Sequence, residues 1–211
     1  QDERRALITA GLQKTAKELG GQVWHNADLL EEINYLVEYP TPLYGRIDEE
    51  FLDLPVPAVV TPMRDHQRYY PVRKEDGSLM PYFLTVRNGG DRAIRNVQIG
   101  NERVLRARLD DAKFFFDGDR RKSLEGHREA LSRINYQEGM GTMLDKSDRL
   151  VKLVEAIGED WNFTDTEKAD VRRAAYLSKS DLATGMVTEF TELQGEMGKE
   201  YALLDLSLIH I

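Results

Sequence analysis

Apolar residues recur at helical spacing in the first and last parts of the chain and form strand-like runs between them. The spacing predicts a helix over residues 2–19, which the glycine pair Gly20 and Gly21 ends. Asn26 is predicted as the N-cap of a second helix, whose acidic first turn suits the helix dipole and which ends before Pro40. The chain therefore opens with two helices.

The middle of the chain is predicted to be rich in strands. Residues 40–62 hold five of the seven prolines, with short apolar runs such as AVVT between them, a pattern that predicts strands and turns with a short helix at DEEFLDL. HQRYYPVR and LMPYFLTVRN are two β-rich runs joined by EDGS, whose Asp-Gly pair is typical of a hairpin turn. Asn88, Gly89 and Gly90 end the second run.

The rest of the chain is predicted to be helical. A helix is expected after Gly100, and helical periodicity continues almost throughout residues 124–201. These patterns predict an α+β fold, with an α+β domain over residues 1–122 and an all-helical domain over residues 123–202. Residues 203–211 resemble translated linker sequence and are predicted to be a non-native tail.

Charge is distributed unevenly. The net charge is −8, which argues against a generic nucleic-acid binder. Eight acidic residues and one arginine lie in residues 28–53, whereas residues 86–108 hold six arginines and two acids, so one face is predicted to be basic. The chain has no cysteine, which indicates a reducing, cytoplasmic setting, and no apolar run near the roughly 18 residues of a membrane span.

The segment GNERVLRARLDDAKFFF, residues 100–116, combines arginines with a cluster of phenylalanines. On a helix its apolar positions share one face, predicted to enter the core together with the phenylalanines: Leu105, Leu109, Ala112 and Phe116. Arg103 lies nearly opposite that face, Arg106 has an acid four positions away on either side, and Arg108 has an acid three positions on. Two interpretations stay open: a solvated amphipathic helix, or arginines that face a phosphate backbone.

The sequence contains none of the common catalytic motifs. There is no P-loop, GxSxG motif, dinucleotide fingerprint or cluster with metal-ligand spacing. His66 is predicted to make a local hydrogen bond in a strand or turn, and Asp145 and Asp148 are predicted to serve in helix capping and surface pairing. Trp24 and Trp161 have no nearby arginine cluster and are predicted in the core.

Four blocks carry a more specific signal: TPMRDHQRYYPV, GNERVLRARLDDAKFFF, YQEGMGTMLDKSDR and KSDLATGMVTEFTELQGEMG. In order and spacing they resemble the beta subunit of bacterial heterotetrameric glycyl-tRNA synthetases. The acidic segment LLEEINYLVEYPTPLYGRIDEEFLDLP fits the same family and extends the resemblance to about residues 27–202. Four separate blocks in order are a stronger signal than any short motif.

The resemblance implies a fragment of a ligase that is inactive alone and holds no cofactor. In this family the alpha subunit activates glycine with ATP and Mg, and the beta subunit recognises tRNA(Gly) within a cytoplasmic heterotetramer. The fragment would comprise a B3/4-like domain and an HD-like helical domain that meet the tRNA acceptor arm. A working HD site needs several histidines, but Ser180 and Asp181 occupy the place of the His-Asp pair and only His127 is available, so no metal site is expected.

Polar residues of the family blocks are the candidates for contacts to RNA, which we expect to be mostly to phosphate and sugar. No catalytic residue is predicted, and Asn101 could instead be the N-cap of its helix. Two alternatives remain: a protein-interaction module that docks the alpha subunit through residues 28–53, or a metal-dependent phosphohydrolase. The tRNA-binding candidates are Arg64, Gln67, Arg68, Asn101, Arg103, Arg106, Arg108, Lys146, Arg149 and Lys179.

Overall fold

The computed structural model describes residues 1–205 as a mixed α/β structure that divides into two compact units. The first unit is Gln1–Lys113 and the second begins at Phe114. The division falls within one continuous helix, nine residues before the predicted boundary at 122/123.

The first unit alternates helices with the strands of one sheet. Asn26 caps the second helix as predicted, since its side chain accepts the Leu29 N–H at 2.8 Å. A 3₁₀ turn at Glu49–Asp53 confirms the short helix expected there, and a π turn spans Pro62–His66. The elements are α1 Asp2–Glu18, β1 Gln22–Val23, α2 Ala27–Leu36, β2 Pro40–Arg46, α3 Val56–Thr61, β3 Tyr70–Arg73, β4 Leu79–Asn88 and α4 Ile94–Asp119.

The sheet is antiparallel, in the order β1-β3-β4-β2. β3 and β4 form the predicted hairpin, whose turn is held by the Asp76 carboxylate accepting the N–H and O–H of Ser78. α1 and α2 cover one part of the sheet because their apolar faces meet strand residues that are almost fully buried. This core cluster includes Ile8, Leu12, Leu29, Ile33, Tyr70, Val72 and Leu84.

Two predictions for the first unit are wrong. AVVT is not a strand but most of α3 (Val56–Thr61), because Pro57 fits the first turn of a helix and Ala58 and Val59 are both fully buried rather than alternating between two faces. α4 begins at Ile94 rather than after Gly100. That glycine lies inside the helix with no neighbour to clash with, and a long helix tolerates its cost of about 1 kcal/mol.

The second unit is mostly helical, but the prediction that it is entirely helical is wrong. A short antiparallel hairpin interrupts it, since Gly139 and Gly141 adopt positive φ angles of 74° and 81° that turn the chain sharply. Its elements, apart from 3₁₀ turns, are α5 Leu124–Arg128, β5 Asn135–Gln137, β6 Gly141–Thr142, α6 Met143–Asp160, α7 Asp165–Leu177, α8 Gly185–Glu189 and α9 Glu196–Leu204.

Buried carboxylates and caps hold these helices. Asp119, at the end of α4, accepts the N–H groups of Gly185 and Met186 at 2.7 and 2.9 Å and the Tyr201 hydroxyl at 2.9 Å. It thereby joins the start of α8 to α9 within the second unit. Asp205, which follows α9, accepts the Leu124 N–H at 2.5 Å.

The predicted tail overlaps this arrangement. Leu203 and Leu204 are the last residues of α9, and Asp205 makes the bond to Leu124. Tail residues 206–211 lie outside the part of the chain that the structure describes. Within residues 1–205, no helix combines the length and the apolar character needed to cross a bilayer.

Candidate nucleic-acid interface

The first part of α4 lies along the outer edge of β2, the edge strand of the sheet. Gln98 donates its side-chain N–H to the Tyr44 carbonyl at 3.0 Å, and the Glu102 carboxylate accepts the Arg46 N–H at 3.0 Å. Edge strands leave such backbone groups unpaired, so these two side chains, one helical turn apart, attach the helix to the strand. The Glu102 carboxylate is therefore engaged in a hydrogen bond to the backbone of β2.

A groove of about 560 Å³ opens where the helix passes this edge. Its size falls in the range of ligand pockets. One wall comes from β2 and β4 and the other from α4, all within the first unit. We call it the α4 groove; its lining residues are Tyr44, Arg46, Ile47, Asp48, Tyr82, Arg95, Ile99, Glu102, Arg103 and Arg106.

The four arginines of the α4 groove differ in their surroundings. Arg46 pairs with Glu49 at 2.9 Å, and Arg106 pairs with Asp48 at 2.5 Å and more loosely with Asp110. The pairing predicted between Arg106 and Asp110 is confirmed at 3.9 Å, whereas the strongest partner, Asp48, lies on another element.

Arg95 and Arg103 are the groove arginines with uncompensated charge. Both are exposed, and neither has an ion-pair partner among the residues that the structure describes. They lie eight positions apart on α4, about 12 Å along the helix axis. A pair of solvated guanidinium groups at this separation can contact two different phosphates of one strand.

Two tyrosines form the other wall of the α4 groove. Tyr44 on β2 and Tyr82 on β4 pack edge to face, with ring centres 6.3 Å apart and ring planes at 78°. Tyr44 remains 39% exposed. The groove therefore combines an open aromatic surface with positive charge.

Other candidates from the sequence lie elsewhere in the first unit and are tied to neighbours. Arg64 donates two hydrogen bonds to Asp65, which raise the pKa of its guanidinium despite partial burial. Arg68 pairs with Glu32 at 2.9 Å and adopts a left-handed backbone conformation, with φ of 57°. Gln67, between them, is half-buried. These contacts stabilise the turn after α3.

Asn101 and Arg108 lie on α4 with Arg103. Asn101 is well inside the helix, so its prediction as an N-cap is wrong, because the helix begins seven residues earlier, at Ile94. Arg108 is half-buried and engaged in an interaction of its own. Of the four α4 candidates, Arg103 and Arg106 line the α4 groove.

Two of the three candidates of the second unit lie over one aromatic ring. Lys146 places its ammonium 4.0 Å from the ring centre of Tyr136, on β5, and the Arg149 guanidinium lies 6.0 Å away. Arg149 also donates to the Met140 carbonyl at 3.0 Å. Lys179 is half-buried, next to the 3₁₀ turn at Ser180–Ala183.

The place of the His-Asp pair is buried in the second unit. Ser180 and Asp181 are 0% and 1% exposed, and burial raises the pKa of the Asp181 carboxyl although the Gly195 N–H donates to it at 2.6 Å. His127 contacts the Asp119 carbonyl through Nε2 at 3.0 Å. Within residues 1–205, no group of three or more His, Cys, Asp or Glu side chains is arranged to hold a metal ion.

The remaining predictions have mixed outcomes. Asp145 completes a capping box with Thr142, whose N–H and O–H bonds lower the Asp145 pKa, and Asp148 pairs with Arg128, so both predictions are confirmed. Trp161, 73% exposed at the end of α6, is not in the core. Phe114 is also 73% exposed, so the phenylalanines of α4 do not all enter the core.

Only Arg103 and Arg106 of the residues that line the α4 groove were predicted from the sequence; Arg95, Tyr44 and Tyr82 are among those that were not. Starting α4 after Gly100 separated Arg95 from the arginines that share its helix, and a longer helix on the same periodicity would have included it. Tyr44 and Tyr82 belong to strands far apart in sequence, and only their pairing in the sheet brings them together.

Comparison with known proteins gives a consistent result. The family model of the glycyl-tRNA synthetase beta subunit matches residues 1–207. The glycine–tRNA ligase beta subunit of Clostridioides difficile is 51% identical over 202 residues, that of Halothermothrix orenii 49% over 204, and that of Bacillus subtilis 44% over 199. These alignments cover 94–97% of the chain but only 29–30% of each relative, so the chain spans about three-tenths of their length.

Proposed function

Because the chain belongs to the glycyl-tRNA synthetase beta-subunit family, we propose that it contributes tRNA binding to the ATP-dependent ligation of glycine to tRNA(Gly). The observation that carries this proposal is the match of the family model over residues 1–207. The chain itself acts as a binding part, and the α4 groove supplies the charge for it. Arg95 and Arg103 are the residues best placed to contact phosphates of the acceptor arm.

In this proposal the alpha subunit activates glycine with ATP and Mg, and the two kinds of subunit assemble as a cytoplasmic heterotetramer. The first unit serves as a B3/4-like domain. The second serves as an HD-like domain whose metal site is not formed, since Ser180 and Asp181 replace the His-Asp pair and Asp181 bonds to the Gly195 backbone.

The alternative function, a protein-interaction module that docks a partner through the acidic segment 28–53, has less support than RNA binding. Several of its carboxylates are used inside the first unit, which leaves less negative charge for a partner. Glu31 pairs with Arg5, Glu32 with Arg68, Asp48 with Arg106, and Glu49 with Arg46.

A salt series of tRNA binding tests the proposal. Between about 100 and 300 mM salt the chain should bind tRNA(Gly) with an affinity that falls linearly with salt on logarithmic axes, because bound arginines release counterions. Replacing Arg95 and Arg103 by glutamine should reduce that slope by about 1.4 to 1.8, at about 0.7 to 0.9 for each phosphate contact. Fluorescence anisotropy of labelled tRNA measures the slope.

The matched control is the double variant K14Q/K74Q. It removes the same charge from exposed positions of the first unit outside the α4 groove and should leave the slope nearly unchanged. Absent or salt-independent tRNA binding by the parent chain would overturn the proposed function. Equal loss in both double variants would overturn the assignment of binding to Arg95 and Arg103.

A further inference from the structure

The α4 groove contains more than a phosphate-binding surface requires. Arginines alone suffice to hold the backbone of a duplex, whose bases are stacked on both faces and turned inward. Yet the groove also presents Tyr44, 39% exposed, and Ile99, 41% exposed, beside its arginines. These side chains offer apolar contact that a phosphate cannot use.

The geometry of the tyrosines suits a flat ligand. Because Tyr82 meets Tyr44 edge to face, the pair makes a corner rather than a closed stack. An unpaired base has a free π face, and aromatic side chains that receive such a face are the usual platforms of single-strand binding. The volume of about 560 Å³ accommodates a nucleotide.

The positive charge of the groove favours a ligand that carries an anionic group beside its flat ring. Its four arginines face only two lining carboxylates, Asp48 and Glu102, so the lining has a net charge of +2 in a chain whose net charge is −8. Glu102 is also bonded to the Arg46 N–H. The exposed Arg95 and Arg103 therefore project positive charge next to the aromatic corner.

We infer that the α4 groove binds an unpaired nucleotide of the RNA, with its base stacked on Tyr44 in the corner that this ring forms with Tyr82 and its flanking phosphates contacted by Arg95 and Arg103. This inference rests on the proposed function, since it names the part of the RNA that the groove receives. Paired regions contribute phosphate contacts only. The groove thus favours a single-stranded end or loop over a continuous duplex.

The test compares a fluorescein-labelled ten-nucleotide oligoadenylate with a fully paired RNA duplex of the same length. The parent chain should bind the single strand more tightly than the duplex. Tyr44→Leu should weaken single-strand binding about 5- to 150-fold, because stacking contributes about 1–3 kcal/mol per base, and should leave duplex binding within about twofold. Tyr44→Phe, which keeps the ring, should bind both RNAs like the parent chain.

A second pair of variants does not depend on the tyrosines. Ile99→Glu places a carboxylate in the α4 groove, whereas Val104→Glu makes the same change at an exposed position of α4 outside the groove. The first should lower single-strand affinity at least tenfold more than the second. Thermal unfolding of each variant shows whether the fold is retained.

The outcomes separate the two proposals. If labelled tRNA binds with a steep salt dependence but Tyr44→Leu and Ile99→Glu leave single-strand binding unchanged, the nucleotide site is wrong and the proposed function stands. Preference of the parent chain for the duplex would also overturn the site. If tRNA does not bind at all, the proposed function itself fails.

Discussion

Asp181, which stands at the place of the missing His-Asp pair, is a carboxylate that the fold buries almost completely. Its carboxylate is 1% exposed, and one oxygen accepts the Gly195 N–H while the other has no hydrogen-bond partner among the described residues. Burial raises its pKa above the ordinary 3.8, and the Gly195 bond and the nearby Lys179 offset only part of this effect. The ionised Asp181 side chain therefore lowers the free energy of unfolding of the protein.

The sign of this effect gives a prediction for Asp181→Asn. Since the folded state holds the proton more tightly than the unfolded state, protonation of the parent favours folding below the raised pKa and is lost as the pH rises through it. The difference in free energy of unfolding between Asp181→Asn and the parent should therefore shift in favour of the parent as the pH falls from 7 toward 4. Urea unfolding at several pH values measures it.

Asp160→Asn provides the control, because Asp160 is an exposed carboxylate at the end of α6 in the same unit. Because Asp160 is exposed, its stability difference from the parent should change less over the same pH range than that of Asp181→Asn. A flat difference for Asp181→Asn as well would show that burial of this carboxyl does not raise its pKa in the folded protein.

At the scale of elements, the contact between α4 and β2 joins folding to binding. Glu102 holds the edge of β2 through the Arg46 N–H and is also one of the two acids that line the α4 groove. Gln98 makes the companion bond to the Tyr44 carbonyl. The element that covers the strand edge is therefore the same element that presents the basic groove.

Two substitutions of Glu102 separate these roles. Glu102→Ala removes the acceptor and should lower the free energy of unfolding by about 1 kcal/mol, while Glu102→Gln keeps an oxygen for the Arg46 N–H and should be close to neutral. Both remove a negative charge from the groove and should strengthen tRNA binding at low salt.

Chemical unfolding and anisotropy titration of the two Glu102 variants provide the measurements. A Glu102→Gln variant that is as unstable as Glu102→Ala would mean that the charge, and not the hydrogen bond, holds the strand edge. Unchanged or weaker tRNA binding in both variants would argue against RNA in this groove.

The element boundaries show which features of the fold can be predicted from residues close together in the sequence. The Asn26 cap and the hairpin of β3 and β4 follow from the sequence, because each depends on residues a few positions apart. α3 does not, since its valines favour strands and only complete burial makes a helix suitable. The start of α4 was also predicted wrongly, at Gly100. An exposed glycine inside a long helix costs too little free energy to end the helix.

At the scale of the whole molecule, the chain is acidic, and the residues that the structure describes include the basic α4 groove. The chain has a net charge of −8, whereas the α4 groove has a lining of opposite sign. Screening decides which of the two an approaching RNA experiences. The Debye length is about 8 Å at physiological salt and about 30 Å at 0.01 M.

This balance predicts a curved salt dependence. Between about 100 and 300 mM salt the groove acts locally and tRNA affinity should fall steeply with salt. Below about 30 mM the distant acidic charges act as well, so the gain in affinity should level off. An anisotropy titration from 10 to 300 mM salt measures the curve, and a slope that stays constant to 10 mM would contradict the prediction.

Membership of the beta-subunit family, expected from four sequence blocks, is confirmed by the family model over residues 1–207 and by relatives at 43–51% identity. This success has a simple cause. Blocks of residues in a given order are properties of the sequence itself and need no folding to be recognised.

The family, the opening helices, the hairpin and the buried positions Leu105, Leu109 and Ala112 of α4 all follow from the sequence, because periodicity, caps and turns act between near neighbours. Which arginines have their charge compensated depends on the folded chain. Arg106 meets Asp48 and Arg68 meets Glu32 through space, while Arg95 joins Arg103 beside a tyrosine from each of two paired strands. Charge compensation and the shape of a groove depend on distances that sequence spacing does not contain.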